Sequence, residues 1–169
     1  MNVPDNGPTR PADRVVTREE AAAFAREVQA TGRTVVFANG CFDILHGGHV
    51  SYLNDARAEG DALIVGVNSD ASERAIKGAG RPVMPGVERA ELVAGMEAVD
   101  RVVIFEEETA EACLRAIRPD VHAKGTDYTA ETVPERAIAD ELGIRVAIAG
   151  APKQNASKLI MKQILEQNG

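Results

Sequence analysis

Five short apolar runs recur along the chain, and the segments between them carry apolar residues at helical spacing. The runs are TVVFAN (34–39), ALIVGVNS (62–69), RVVIF (101–105), DVHAK (120–124) and IRVAIA (144–149). Unbroken apolar runs of this length are typical of strands that a parallel sheet buries on both faces. The pattern therefore predicts an α/β fold in which helices cover a doubly wound, five-stranded parallel sheet.

The helices are predicted from caps and from apolar residues three or four positions apart. Thr17 and Glu20 form a capping box that opens an alanine-rich helix, which runs to about Ala30. Further helices are predicted at about 50–59, 70–76, 87–99, 109–117, 134–142 and 155–167.

The amino-terminal segment indicates the domain organisation, and the cysteines indicate the cellular compartment. Residues 1–15 are polar and rich in proline, which predicts a flexible tail, and 16–169 shows neither linker nor repeat, which predicts a single domain. No apolar signal core and no apolar run of membrane-spanning length is present. Cys41 and Cys113 have neither metal nor redox spacing. We therefore expect reduced thiols in a cytoplasmic protein that does not enter a membrane.

The net charge of −7 narrows the choice of partner. It argues against nucleic acid, because a duplex binder needs a broad basic surface. It leaves room for a small anionic ligand, which a local group of backbone N–H donors and a few cations can hold.

The turn after the first strand carries two of the three histidines, in the segment HGGH at 46–49. Glycines let a phosphate approach the backbone, and the N–H groups that begin the next helix favour its charge. His46 and His49 lie on the same side of that helix and can both donate to phosphate oxygens. The arrangement suits attack at phosphorus with departure of pyrophosphate. Metal ligation and a structural role are the alternatives, and no third ligand lies nearby in the sequence.

Several segments resemble one family. NGCFDILHGGHVSYL is similar to the HxGH signature of the cytidylyltransferase-like nucleotidyltransferases, and LIVGVNSDAS resembles their second strand and NSD turn. IKGAGRPVMPGVERAELVAGMEAVDRVVIFEEET and RPDVHAKGTDY resemble the KGxGRP and KGxDY segments of the heptose-1-phosphate adenylyltransferase branch. The resemblance covers about residues 33–165 and implies a Rossmann-like nucleotidyltransferase fold.

The resemblance also implies a reaction. A heptose 1-phosphate oxygen attacks the α-phosphorus of ATP, and ADP-heptose and pyrophosphate are formed for surface polysaccharide synthesis. Mg²⁺ accompanies the ATP, the protein holds no resident metal, and the family is homodimeric. We expect positioning and charge stabilisation rather than a covalent intermediate.

The resemblance assigns roles to matching residues. His46, His49 and Lys77 are the expected catalytic residues. The expected nucleotide contacts are Asn39, Gly40, Cys41, Phe42, Gly48, Lys124, Gly125, Asp127, Asn155 and Ser157. The expected contacts to the phosphate of the sugar are Arg81, Arg89 and Asp70.

Other interpretations stay open for some of these positions. Lys77 and Arg81 occupy a loop rich in glycine and proline, where cations are often merely solvated. Asp70 begins a helix, and its N-cap role is favoured over a magnesium or sugar contact. Asp43 is either an orienting group or a plain turn residue, and His122 is expected to be a packed core residue.

The segment that opens the last helix departs from the family. Asn155-Ala156-Ser157 stands where a Ser-Thr run is usual, and Thr126 stands where glycine is common. These changes leave two further hypotheses. One is a cytidylyltransferase that acts on glycerol 3-phosphate or a similar alcohol phosphate, and the other is a nucleotide-binding module without catalysis.

Overall fold

The computed structural model describes residues 9–152 and 157–168. Its strands are β1 (Val35–Gly40), β2 (Ala62–Asn68), β3 (Arg101–Phe105), β4 (Val121–Gly125) and β5 (Arg145–Ala149). Its α-helices are α1 (Arg18–Ala30), α2 (Gly47–Ala58), α3 (Asp70–Lys77), α4 (Gly86–Ala94), α5 (Glu111–Ile117), α6 (Arg136–Leu142) and α7 (Ser157–Asn168).

The five strands form one parallel sheet in the order β3-β2-β1-β4-β5. The predicted doubly wound α/β fold is therefore confirmed. The strand order reverses between β1 and β4: from β1 the chain continues to β2 and β3 on one side, and β4 and β5 lie on the other side. The loops that follow β1 and β4 therefore run in opposite directions. The crevice at the carboxyl ends of these two strands is where such folds bind ligands.

Helices bury the sheet on both faces. On one face, Ala25 of α1 and Leu114 of α5 pack against Phe37 of β1. On the other face, Leu53 of α2 and Val93 of α4 pack in a second apolar cluster. Burial of each large apolar side chain contributes about 1.5–3 kcal/mol, so the two clusters hold the strand ends in fixed relative positions.

Four predicted helix boundaries were wrong. The helix predicted at about 50–59 begins earlier, at Gly47, where His46 caps it. The helix predicted at 87–99 ends at Ala94, because Asp100 must reach β2: its N–H donates to the Leu63 carbonyl at 2.9 Å, and its carboxylate accepts from the Leu63 N–H at 2.8 Å. The helices predicted to begin at 109 and 134 begin at Glu111 and Arg136.

The predicted flexible tail was too long. Residues Pro11–Arg14 form a 3₁₀ turn, and Arg14 Nη1 donates to the backbone carbonyls of Ala94 and Val99 at 3.3 and 3.2 Å. Val15 then pairs with Val102 at the edge of the sheet. Residues 11–15 therefore pack on the domain, and 1–8 lie outside the described residues.

None of the helices in the described ranges combines the length and the apolar character that crossing a bilayer requires.

Candidate functional site

A cleft of about 1080 Å³ opens at the carboxyl ends of β1 and β4. It lies at the point where the strand order reverses, so the topology and the position of the cleft agree. The cleft brings together most of the residues singled out from the sequence: Asn39, Gly40, Cys41, Phe42, His46, Gly48, His49, Lys77, Arg81, Lys124, Gly125, Asp127 and Ser157.

The two histidines form a defined pair at the start of α2. His46 Nδ1 accepts a hydrogen bond from the Gly48 N–H at 3.1 Å, and His49 Nδ1 accepts one from the His46 N–H at 3.3 Å. The ring centroids lie 4.0 Å apart. Because Nδ1 is an acceptor in both rings, each neutral imidazole carries its hydrogen on Nε2. Two Nε2–H donors thus flank the amino terminus of a helix, an arrangement that suits a phosphate.

The Phe42 ring packs against the His49 ring of this pair. Phe42 is buried, adopts a left-handed backbone conformation (φ 54°), and places its ring centroid 5.3 Å from that of His49. Gly40 leaves room for the ring, since a Cβ at Gly40 would lie 3.1 Å from Phe42 Cε2. The glycine and the aromatic ring therefore fix the position of His49.

Cationic side chains surround the histidines. Lys77 ends α3 and lines the cleft. Lys158 of α7 lines the same cleft. Lys124 is buried, lies 3.5 Å from a Glu135 oxygen, and places its ammonium 4.9 Å from the centre of the Tyr128 ring. These groups give an acidic protein a local basic site that can hold polyphosphate.

Asp43 organises the loop that carries Arg81. Its carboxylate accepts from Arg81 Nη1 at 2.8 Å and from the N–H groups of Val83 and Met84, both at 2.9 Å. Burial alone would raise the pKa of Asp43, but these hydrogen bonds outweigh it and hold that pKa below its ordinary value. Asp43 is therefore an anionic anchor for the Arg81 loop rather than a plain turn residue.

Arg89 does not contact the cleft, and its prediction as a sugar-phosphate contact was wrong. It is fully buried, with Nη2 donating to Asp70 Oδ1 at 2.8 Å and Nη1 lying 3.1 Å from Glu73 Oε2. Its guanidinium also donates to the backbone carbonyls of Cys41, Asn68 and Met84. Arg89 thus ties together the turn after β1, the end of β2 and the start of α4.

Asp70 also lies outside the cleft lining, although its side chain is 48% exposed, so the structure does not support its predicted contact with the sugar phosphate. Its Oδ1 accepts from the Gly86 N–H at 2.7 Å as well as from Arg89, and the residue is not part of the cleft lining. Nor is it the cap of α3, because Ser69 occupies that position and accepts from the Ser72 N–H.

His122 lies in the core, as predicted, but it also makes a polar contact that the sequence did not indicate. The side chain is fully buried in β4, and its Nε2 lies 2.9 Å from Asn39 Oδ1. Burial lowers the pKa of His122 to about 4, and the positive charge of Lys124 acts in the same direction, while the Glu135 carboxylate opposes both. His122 is therefore neutral at physiological pH.

This burial predicts a dependence of stability on acidity. The unfolded chain protonates His122 near its ordinary pKa of 6.5, whereas the folded protein does so at about 4. Keeping His122 neutral in the folded protein therefore stabilises it fully above pH 6.5, and this stabilisation is lost as the pH falls toward 4. It amounts to about 3 kcal/mol at most, because one pKa unit corresponds to about 1.4 kcal/mol.

Urea unfolding at pH 6.5 and pH 4.5 measures this loss. The wild type should lose more stability between these two values than His122→Leu, which cannot take up the proton. Equal losses in the two proteins would show that another group is responsible.

The altered segment before α7 lies partly outside the described residues, and Asn155 is among those not described. Ser157 begins α7, is buried, and lines the cleft. Thr126 donates its hydroxyl hydrogen to the Ala151 carbonyl at 3.2 Å, so it joins the turn after β4 to the turn after β5.

Within the described ranges, no three His, Cys, Asp or Glu side chains come together as metal ligands. Mg²⁺ is commonly held by water and substrate phosphates with only one or two carboxylates.

Comparison with known proteins places the chain in a family. The cytidylyltransferase-like family model matches residues 37–163. Proteins named bifunctional protein HldE are similar to it: the one from Wolinella succinogenes is 51% identical over 72% of this chain, and the one from Pseudomonas aeruginosa is 44% identical over 90%. The matched part is 26% and 32% of those proteins, so the chain spans about 30% of the length of these relatives.

Two solved structures have the same fold. A lipopolysaccharide core biosynthesis protein from Thermoplasma volcanium has a TM-score of 0.62 and 30% identity, with 73% of this chain and 100% of that one covered. A pantoate–beta-alanine ligase from Francisella tularensis, at 12% identity, has a TM-score of 0.60 with 83% and 67% covered, which supports the fold alone. The chain belongs to the cytidylyltransferase-like family of nucleotidyltransferases.

Proposed function

We propose that this protein transfers AMP from ATP to a heptose 1-phosphate and releases ADP-heptose and pyrophosphate. The observation that carries the proposal is the His46–His49 pair, with both Nε2–H groups set at the amino terminus of α2 in the cleft. The KGxGRP and KGxDY resemblances, the HldE relatives and the lipopolysaccharide core biosynthesis structure support the heptose branch.

The chemistry follows from the donors. A phosphate oxygen of the sugar 1-phosphate forms a bond to the α-phosphorus, and the bond from that phosphorus to the bridging oxygen of pyrophosphate breaks. Negative charge builds on the transferred group and on the leaving group. His46 and His49 donate hydrogen bonds to these oxygens, and the α2 dipole adds to the stabilisation. No proton need leave the attacking phosphate dianion, so the protein requires no general base at this step.

The cationic side chains of Lys77 and Arg81 are assigned to different phosphate groups. Lys77 is a mobile point charge suited to the leaving pyrophosphate, while Arg81, oriented by Asp43, suits the planar recognition of a phosphate. The glycine at position 125 and the Lys124–Tyr128 contact form the part of the cleft that we assign to the adenosine.

Mg²⁺ belongs to the proposal as part of the ATP substrate. When bound, it neutralises phosphate charge and shapes the triphosphate. We further propose that the protein acts in the cytoplasm as a homodimer. The exposed apolar side chains of Leu159, Ile164 and Leu165 on α7 support a subunit contact.

A pyrophosphate-release assay with paired substrates tests the proposal. The purified protein receives ATP or CTP with D-glycero-D-manno-heptose 1-phosphate or glycerol 3-phosphate, in the presence of Mg²⁺. We expect turnover with ATP and the heptose, at least 100-fold faster in kcat/KM than with the other three pairs. A 100-fold lower kcat/KM for a wrong substrate pair corresponds to the loss of a few polar contacts in the transition state.

The other outcomes identify the alternatives. Turnover with CTP and glycerol 3-phosphate alone would establish a cytidylyltransferase. ATP binding without turnover on either phosphate would establish a binding module. ADP-heptose is identified as the product by mass spectrometry.

A further inference from the structure

We propose that His122 is a positioning residue that holds the Asn39 carboxamide with its NH₂ group toward the nucleotide phosphates. The inference rests on the proposed function, because it concerns how the cleft receives ATP. It assigns a task to a buried side chain that neither contacts the cleft nor takes part in the transfer itself.

The sheet register places the two residues together. Phe37 of β1 is the Cα partner of His122 in β4, and Asn39 lies two residues beyond Phe37. Side chains at positions i and i+2 of a strand project from the same face, so Asn39 and His122 are diagonal neighbours on that face. The contact follows from this geometry, with His122 Nε2 lying 2.9 Å from Asn39 Oδ1.

The placement of Asn39 Oδ1 toward the imidazole sets the donor and acceptor roles, and the other ring nitrogen, His122 Nδ1, is buried without a hydrogen-bond partner among the described residues. A carboxamide oxygen can only accept, so the hydrogen of this bond is on His122 Nε2. The amide group is planar, and its nitrogen is directed away from the imidazole. Asn39 Nδ2 donates to no described residue and is not among the buried polar atoms that lack partners. Since Asn39 lines the cleft, its NH₂ group lies at the cleft surface.

The surroundings keep the contact in place. The Asn39 backbone carbonyl lies 3.5 Å from the Tyr52 hydroxyl, which also donates to the Ala123 carbonyl of β4 at 2.8 Å. The His122 ring packs against Phe37, with centroids 6.0 Å apart. Backbone and side chain of Asn39 are therefore both held by contacts that involve β4.

The orientation matters because the ligand is an anion. With its oxygen held by His122, Asn39 offers two N–H donors to phosphate oxygens. Without His122 the amide can rotate and present its oxygen, which repels phosphate. A residue that contacts no substrate thus decides whether Asn39 attracts or repels ATP.

A double-mutant cycle on ATP binding tests the proposal. MgATP affinity is measured by calorimetry, without the sugar phosphate, for the wild type, His122→Leu, Asn39→Ala and the double variant. We expect each single change to weaken binding by roughly tenfold, and the double variant to be no weaker than Asn39→Ala. His122→Gln keeps an N–H donor and should restore the affinity to within about threefold of the wild type.

Val121→Ala is the matched control. Val121 is the buried neighbour of His122 in β4 and packs in the cluster on the opposite face of the sheet. This change should lower the melting temperature but leave the dissociation constant for ATP unchanged. A similar loss of affinity in Val121→Ala would show that general loosening of β4, rather than the amide orientation, sets the affinity.

Other results would overturn the proposal in distinguishable ways. If the loss of ATP affinity in the double variant equalled the product of the two single losses, His122 would not act through Asn39. The same follows if His122→Leu left the affinity unchanged, and either result would leave the proposed function standing. Failure of the wild type to bind ATP would remove both. Nitrogen NMR of labelled histidine gives an independent check, since a hydrogen on Nδ1 rather than Nε2 of His122 would contradict the proposal directly.

Discussion

Replacing His49 by alanine is expected to lower kcat for pyrophosphate release by roughly 100- to 1000-fold. The Nε2–H donor that this change removes serves charge that develops only in the transition state. The loss should therefore appear in kcat rather than in the KM for ATP. Steady-state kinetics with ATP and heptose 1-phosphate measures both constants.

Two companion variants separate chemistry from folding. His49→Gln keeps an N–H donor close to the position of Nε2 and should recover part of the lost rate. His49→Asn has a shorter carboxamide that lies near the position of Nδ1 and leaves no donor at the position of Nε2, so it should not. The melting temperature of each variant should stay near that of the wild type, because His49 lies at the partly exposed start of α2. An unaltered kcat in His49→Ala would remove the histidine from the reaction.

Replacing Arg89 by methionine is expected to lower the free energy of unfolding by about 3–5 kcal/mol. The change leaves the fully buried Glu73 carboxylate without its ion-pair partner and leaves the Asn68 carbonyl without a donor. Urea unfolding at pH 7 measures the loss.

A compensating variant tests the cause of that loss. In Arg89→Met combined with Glu73→Leu, no fully buried charge stays unpaired, because Asp70 is 48% exposed and still accepts from the Gly86 N–H. Most of the lost stability should therefore return. If Arg89→Met folded as stably as the wild type but had a much higher KM for the sugar phosphate, the discarded substrate role of Arg89 would be correct after all.

The fold was predictable because each buried strand is an unbroken apolar run between helices with clear caps or apolar stripes. The position of the cleft followed as well, since HGGH lies in the turn after the first predicted strand and KGTDY begins at the end of the fourth. Parallel strands bring their carboxyl ends to the same edge of the sheet, so residues far apart in sequence meet there.

The role of Arg89 was not recognised, although a signal was present. Arg89 lies four residues before Val93 and three after Gly86, on the buried side of α4. A helical projection would have placed it inward. Its partners could not be identified in this way, because Asp70 and Glu73 belong to another helix and meet Arg89 only through tertiary packing.

The link between His122 and Asn39 had no local signal either. It depends on β1 pairing with β4 in a particular register. Neither hydrophobic pattern nor motif encodes this register for two residues that lie 83 positions apart. Patterns along the chain thus predicted which residues surround the cleft but not which buried groups hold them in position.

A crystal structure with Mg²⁺ and a nonhydrolysable ATP analogue is the most direct measurement of the central claim. We expect Nε2 of both His46 and His49 to lie within about 3 Å of phosphate oxygens, with the α-phosphate above the amino terminus of α2. A nucleotide bound in another place, with neither imidazole near its phosphates, would contradict the account.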